Sequence, residues 1–78
     1  SRNRYVGERI ATGNKLSDIL SSMDNVAEGI YTIPAALELA SRLDVDMPIT
    51  SITNQILFEN LDVSSAVSQL MGRAPGPE

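Results

Sequence analysis

The sequence predicts an all-α fold, a compact bundle of about five short helices. Three observations lead to this prediction: apolar residues recur at helical spacing, turn residues separate the periodic segments, and no six residues alternate cleanly enough for a strand. Apolar residues make up 42% of the chain and charged residues 21%, as in globular domains. A chain of 78 residues buries only roughly 60% of its unfolded surface, so we expect one domain with a thin core.

The first two helices are predicted within residues 2–23. Ser1 can cap the first helix, Val6 and Ile10 lie on one face of it, and Gly13-Asn14 can form its C-cap after residue 12. The second helix stops near residues 24–25 and has apolar residues at i, i+3, i+4 and i+7, namely Leu16, Ile19, Leu20 and Met23. We expect residues 26–29 to form a connector.

Each of the three remaining helices begins at a capping signal. Thr32 offers an N-cap hydroxyl with Pro34 in the first turn, Pro48 begins a fourth helix that runs to about Glu59, and Asp62 caps the fifth. Gly72 stops the fifth helix. The apolar stripes that we expect in the core are Ile33, Ala36, Leu37, Ala40 and Leu43; Ile49, Ile52, Ile56 and Leu57; and Val63, Ala66, Val67, Leu70 and Met71. Residues 1–73 are thus predicted to form one helical domain, and residues 74–78, rich in Pro and Gly, a flexible tail.

The residue inventory excludes several kinds of chemistry. The chain has no cysteine and no histidine, which rules out a cysteine nucleophile, disulfides, Cys/His zinc sites and an imidazole general base. The acidic pairs Asp44/Asp46 and Asp18/Asp24 supply too few ligands for a metal ion, so we predict no metal site. No apolar run approaches the roughly 18 residues of a membrane span, and no signal sequence opens the chain, so we expect a cytoplasmic protein without membrane contact.

The charges are unevenly distributed. Residues 1–15 carry four basic side chains against one acid, whereas residues 16–78 carry two against nine. A basic end on an acidic body indicates a local anion site. It does not indicate nucleic-acid binding, because a duplex requires a broad basic face that neutralises several phosphates.

The segment SRNR, residues 1–4, is the first candidate for that site. Arginines at a helix N-terminus oppose the helix dipole unless an anion is bound nearby. Free backbone N–H groups, the Ser1 hydroxyl, the Asn3 amide and a guanidinium together form a good phosphate cradle. The alternative is a solvated basic terminus in which Arg4 pairs with Glu8.

Glu28 and Gly29 form the second candidate. The Glu28 carboxylate could accept hydrogen bonds from a ribose hydroxyl or a carboxamide, and Gly29 would let a ligand approach the backbone closely. The alternative is that Glu28 simply caps a helix. Lys15 could in principle act as a reactive amine, but nothing near it in sequence would desolvate it, so we expect a solvated loop lysine.

Four short blocks of the sequence resemble one known family. They occur in order: Ser1-Arg2-Asn3-Arg4 followed by Gly7, then Val26-Ala27-Glu28-Gly29, then Met47-Pro48-Ile49-Thr50, and then Leu70-Met71-Gly72-Arg73. Together they resemble the C-terminal end of bacterial-type NAD(P)-dependent glycerol-3-phosphate dehydrogenases. That region of the family is all-helical and similar to the C-terminal domain of 6-phosphogluconate dehydrogenase-like proteins, in agreement with the predicted bundle.

The resemblance implies an oxidoreductase that interconverts dihydroxyacetone phosphate and sn-glycerol 3-phosphate with NAD or NADP, in glycerophospholipid biosynthesis. It implies substrate contacts for Ser1, Arg2 and Asn3, and cofactor contacts for Arg2, Val26 and Glu28. The family's Rossmann domain and catalytic lysine would precede Ser1, so we expect no catalytic residue and no activity in these 78 residues alone. The expected partners are that Rossmann domain and a second copy of the protein.

A different class of function is a standalone acidic helical interaction module, such as an acyl-carrier-like protein. That family requires an Asp-Ser-Leu attachment site at a helix start. The chain has Ser17-Asp18-Ile19 instead, in which the order of the residues is wrong. A nucleic-acid-binding bundle is the third hypothesis, ranked last because the sequence offers no basic face.

Overall fold

The computed structural model describes residues 1–23 and 27–73. Within these ranges the regular structure is entirely helical, which confirms the all-α prediction. The five helices are α1 (Arg2–Ala11), α2 (Leu16–Ser21), α3 (Glu28–Arg42), α4 (Pro48–Phe58) and α5 (Val63–Gly72). α1 packs against α2 and α3, α3 packs against α4, and α4 packs against α5. The predicted tail, residues 74–78, lies outside the described residues.

Several predicted helix ends are confirmed. The Ser1 Oγ accepts a hydrogen bond from the Arg4 backbone N–H at 3.3 Å, and an Asp62 carboxylate oxygen accepts one from the Ser65 backbone N–H at 3.0 Å. Both are N-caps that satisfy a donor which the helix leaves free. Gly13 follows α1 with a φ of +96°, a left-handed conformation that suits glycine. Pro48 is the first residue of α4, where its missing N–H costs little.

The predicted start of α3 was wrong. The helix begins at Glu28, one turn before Thr32, and the expected connector therefore does not extend to Glu28 and Gly29. The Thr32 hydroxyl donates to the Glu28 carbonyl at 3.4 Å instead of capping the helix. Pro34 lies inside the helix, where it has no N–H to donate to the carbonyl of Ile30.

Burial explains the earlier start of α3. Ala27, the N-cap residue, is 1% exposed, and Ile30 is 4% exposed. Placing both against the core requires this segment to wind as helix, and that packing outweighs the local signals of Thr32 and Pro34. The second helix is also shorter than predicted, since α2 ends at Ser21.

The main core lies at the N-terminal end of the bundle. It joins one residue of α1, two of α2 and two at the start of α3: Val6, Leu16, Ile19, Ala27 and Ile30. Four partly buried apolar residues pack around them: Ile10, Leu20, Met23 and Leu57. This cluster fixes the beginning of α3 against α1 and α2.

The C-terminal part of the bundle buries less. α4 and α5 bury one apolar residue each, Ile52 and Ala66, and α3 buries Ala40 beyond the main core. The prediction that the whole stripes are core was wrong for several residues, which are more than a third exposed: Leu43, Ile49, Val63, Val67 and Met71. A helical stripe indicates an amphipathic helix, but the neighbours present decide how much of it is covered. None of the helices in the described residues is long and apolar enough to cross a bilayer.

Candidate ligand-binding site

An open cleft of about 640 Å³ lies where the N-termini of α1 and α3 meet. One wall comes from the first turn of α1, and the other from the start of α3 and from Met23, two positions after the end of α2. The lining residues are Ser1, Arg2, Asn3, Tyr5, Met23, Glu28 and Gly29. The structure thus brings the predicted SRN segment and the predicted Glu28-Gly29 pair to one cleft, although 23 residues lie between Arg4 and Glu28 in the chain.

Direct contact between Asn3 and Gly29 joins the two walls. A Cβ atom built on Gly29 would lie 2.9 Å from Cγ of Asn3, closer than real Cβ atoms approach another atom, and 3.0 Å from its Oδ1. The Asn3 carboxamide therefore occupies the space that a side chain at position 29 would fill. Both residues line the cleft, so the contact forms part of its surface.

The arginines of the SRNR segment have different partners. Arg4 Nε donates to Glu8 Oε1 at 2.9 Å, as the alternative of a solvated basic terminus expects. Arg2 forms no ion pair within residues 1–23 and 27–73 and lines the cleft. The pairing of Arg4 therefore leaves the charge of Arg2 available to an anion.

The first turn of α1 offers additional donors. The first backbone hydrogen bond of the helix runs from the Tyr5 N–H to the Ser1 carbonyl at 3.0 Å, so the N–H groups of Arg2 and Asn3 have no partner within the helix. The Ser1 Oγ accepts from the Arg4 N–H, which leaves the hydroxyl proton of Ser1 free to be donated. These groups lie at the positive end of the helix dipole, which favours a bound anion.

Glu28 is exposed at the first position of α3. The alternative that it caps the helix was wrong, because the N-cap residue is Ala27 and, among residues 1–23 and 27–73, no side chain makes a capping hydrogen bond there. The carboxylate still lies at a helix N-terminus, which stabilises its charge. It pairs with no cation in the described part of the chain, so it can accept hydrogen bonds from a ligand in the cleft.

Two further residues were considered in the sequence analysis, Val26 and Lys15. Val26 falls outside the described residues. Lys15 is exposed at the N-cap of α2 and lines a separate cavity of about 310 Å³ between the α1–α2 and α4–α5 loops. Its position agrees with the expectation of a loop lysine.

Sequence reasoning missed Tyr5 and Met23 as cleft residues. Tyr5 lies one helical turn from Arg2, so the i, i+3 spacing could have placed it on the same face. Met23 ends the apolar spacing of the second predicted helix, and in the structure it both packs against the main core and borders the cleft. No local feature of the sequence distinguishes a residue that only packs in the core from one that also borders the cleft.

Comparison with known proteins gives the family. A family model described as the C-terminus of NAD-dependent glycerol-3-phosphate dehydrogenase matches residues 1–68. The chain belongs to this family. The match includes the whole cleft and confirms the resemblance that the four sequence blocks suggested.

The individual relatives of the chain are longer proteins. The chain is similar to the glycerol-3-phosphate dehydrogenases [NAD(P)+] of Prosthecochloris aestuarii (53% identity), Chlorobium phaeobacteroides strain BS1 (50%) and Nitrosomonas europaea (42%), each over all 78 residues. It covers 24%, 23% and 24% of their respective lengths, so it spans about a quarter of these relatives. No solved structure matches the chain significantly. Nothing in these matches favours the alternative of a standalone interaction module.

Proposed function

We propose that residues 1–78 form the ligand-binding helical part of an enzyme that interconverts dihydroxyacetone phosphate and sn-glycerol 3-phosphate with NAD or NADP, in glycerophospholipid biosynthesis. The observation that supports this most is the single cleft lined by Ser1, Arg2 and Asn3 from α1 and by Glu28 from α3. One wall offers hydrogen-bond donors and a cation, and the other offers a carboxylate. A ligand with a phosphate at one end and hydroxyl groups elsewhere complements both walls.

The donors of α1 are assigned to the substrate. The Arg2 guanidinium and the free N–H groups of the first turn bind the phosphate, the Ser1 hydroxyl donates to one of its oxygens, and the Asn3 carboxamide donates from its NH₂ group. A phosphate carries close to two negative charges at neutral pH, so the helix dipole and the guanidinium act in the same direction. Binding at several points fixes the orientation of the carbon that reacts.

Glu28 and Arg2 are also assigned to the cofactor, together with Val26. The carboxylate and the guanidinium together fit part of a dinucleotide. The carboxylate accepts hydrogen bonds from a ribose hydroxyl or a carboxamide, and the guanidinium binds a phosphate. The nicotinamide cofactor, when bound, supplies or accepts the hydride. Arg2 thereby contacts both ligands and holds them in one relative position.

We assign no catalytic residue to this chain. Residues 1–73 bind and orient, and the proton transfer belongs to the part of the dehydrogenase that these 78 residues do not match. The partner for this domain is the family's Rossmann domain. We further propose a cytoplasmic location and a homo-oligomeric state.

The proposal is tested in a chimera. Residues 1–78 replace the matching quarter of the Prosthecochloris aestuarii dehydrogenase, to which they are 53% identical. We expect the chimera to reduce dihydroxyacetone phosphate, and the isolated chain to show no turnover.

Arg2→Ala in the chimera is expected to raise the KM for dihydroxyacetone phosphate by about 10- to 100-fold, the value of a lost charge-assisted hydrogen bond. The matched control is Arg42→Ala, which removes an exposed arginine that pairs with Glu38 away from the cleft. A KM within about twofold of the parent for Arg2→Ala would show that the assigned role is wrong, since a contributing charge is worth more than that.

A further inference from the structure

The contact between Asn3 and Gly29 connects a substrate-binding residue to the helix that carries Glu28. A Cβ at position 29 would lie 2.9 Å from Asn3 Cγ, so the carboxamide rests on the bare backbone of α3. Two other glycines of the described residues, Gly7 and Gly72, also lie within helices. A Cβ atom at either position would meet nothing within 4 Å. Gly29 alone of these three helical glycines has its side-chain space taken by another residue.

Backbone conformation does not explain the glycine at this position. Glycine is needed where φ is positive, and the only glycine with positive φ in the described residues is Gly13. Gly29 lies in the first turn of α3, where alanine would stabilise the helix better than glycine does. The structure shows what a side chain at this position would meet, and it is the Asn3 carboxamide.

The position of the Asn3 carboxamide depends on this space rather than on hydrogen bonds. No hydrogen bond joins its side chain to another described residue, and the residue is exposed. A side chain held only by contact changes rotamer easily when the contact becomes a clash. Filling the space at position 29 would therefore move the carboxamide at little cost to the fold.

We propose that Gly29 is a positioning residue: the absence of its side chain seats the Asn3 carboxamide against the first turn of α3, in the orientation that donates to the substrate. This inference rests on the proposed function, since it deepens the role of Asn3 in the same cleft. It gives the two walls a fixed register, because Glu28 and Gly29 are neighbours on one helical turn. Gly29 acts through Asn3 and needs no contact with the substrate itself.

The test is a double-mutant cycle in the chimera described above. Gly29→Ala, Asn3→Ala and the double variant are compared with the parent for kcat, for the KM of dihydroxyacetone phosphate and for the melting temperature. Gly72→Ala is the matched control, because it adds the same methyl group to a helix in open space. We expect Gly29→Ala and Asn3→Ala each to raise the KM about tenfold, the effect of one lost hydrogen bond to a charged group.

In the double variant we expect the same tenfold rise and no more, because Gly29→Ala has nothing to displace once the Asn3 side chain is gone. The kcat values stay within about twofold of the parent, since the contact serves binding in the ground state and the transition state alike. The melting temperature is unchanged or slightly higher in Gly29→Ala, as for Gly72→Ala.

Three results overturn the inference. The first is a double variant whose KM rises by the product of the two single effects. The second is a Gly29→Ala variant with the KM of the parent beside an impaired Asn3→Ala. The third is a melting temperature that is lowered by Gly29→Ala and stays lowered in the double variant, which lacks the Asn3 side chain. In each case an active parent chimera and an impaired Arg2→Ala leave the proposed function standing, whereas an inactive but folded parent overturns both.

Discussion

The two ends of the bundle differ in how they use apolar residues. The N-terminal region, made of α1, α2 and the first turn of α3, contains five of the eight buried apolar residues of the described chain, and they form one continuous cluster. The C-terminal region, made of the rest of α3 with α4 and α5, holds the other three. It also exposes most of the large apolar side chains that face solvent: Leu39, Leu43, Val45, Ile49, Phe58, Val63, Val67 and Met71.

This difference shows that the cleft belongs to the better packed region. Ser1, Arg2 and Asn3 stand on a helix whose Val6 is 2% exposed, and Glu28 follows directly after the buried Ala27. A rigid foundation of this kind keeps binding groups in place. The C-terminal region instead presents apolar surface, a property of surfaces that other proteins or domains cover.

The largest expected effect comes from emptying the N-terminal core. Ile19 is 3% exposed in the main cluster, and Ile19→Ala is expected to lower the free energy of unfolding by about 2–5 kcal/mol. The matched change in the C-terminal region is Ile49→Ala, at a residue 54% exposed, with an expected loss of about 0.5 kcal/mol or less. Urea denaturation followed by circular dichroism measures both. Equal losses would contradict the contrast between the two regions.

A smaller effect is expected from the exposed apolar face of α5. Val67→Lys places a charge on that face, and we expect it to weaken the proposed self-association of the chain about tenfold, in line with the loss of one buried apolar side chain. Ser68→Lys is the control, because it adds the same charge to a neighbouring exposed position of α5. Sedimentation equilibrium gives the dissociation constants. If Ser68→Lys weakens association equally, charge rather than the apolar face is responsible.

The smallest effect concerns two helical glycines in open space. Gly7 lies inside α1, and Gly7→Ala is expected to raise the free energy of unfolding by about 0.5–1 kcal/mol, since alanine favours a helix interior. Gly72 is the last residue of α5, where helix propensity counts less, so Gly72→Ala should change stability by less than that. Thermal unfolding distinguishes the two. A loss of stability in Gly7→Ala would show that the surroundings of α1 are tighter than described.

Much of the fold could be predicted from local patterns. Helical spacing placed all five helices, and capping chemistry identified Ser1 and Asp62 as N-caps. The start of α3 could not be predicted in the same way. Thr32 and Pro34 are strong local signals, and only the burial of Ala27 against residues distant in sequence outweighs them.

The candidate site likewise has features that could be predicted from the sequence and features that could not. The donors of residues 1–3 and the carboxylate of Glu28 can be recognised from residue chemistry and from the resemblance to the family. Their meeting in one cleft depends on the packing of α1 against α3, which no local pattern contains. The seating of Asn3 on Gly29 is a tertiary contact between two exposed or half-buried residues, for which the sequence offers no signal.

Pro34 divides α3 into two segments that pack differently. The proline removes one hydrogen bond of the helix, the one to the Ile30 carbonyl, between the first turns, which the N-terminal core holds through Ala27 and Ile30, and the later turns, which bury Ala40. Amide hydrogen exchange is expected to report this: the hydrogen-bonded amides that follow the first turn and precede Pro34 exchange slowly together with those of α1 and α2, and the amides beyond Pro34 exchange slowly together with those of α4. We therefore expect α4 and α5 to unfold locally while the turn that carries Glu28 and Gly29 stays folded.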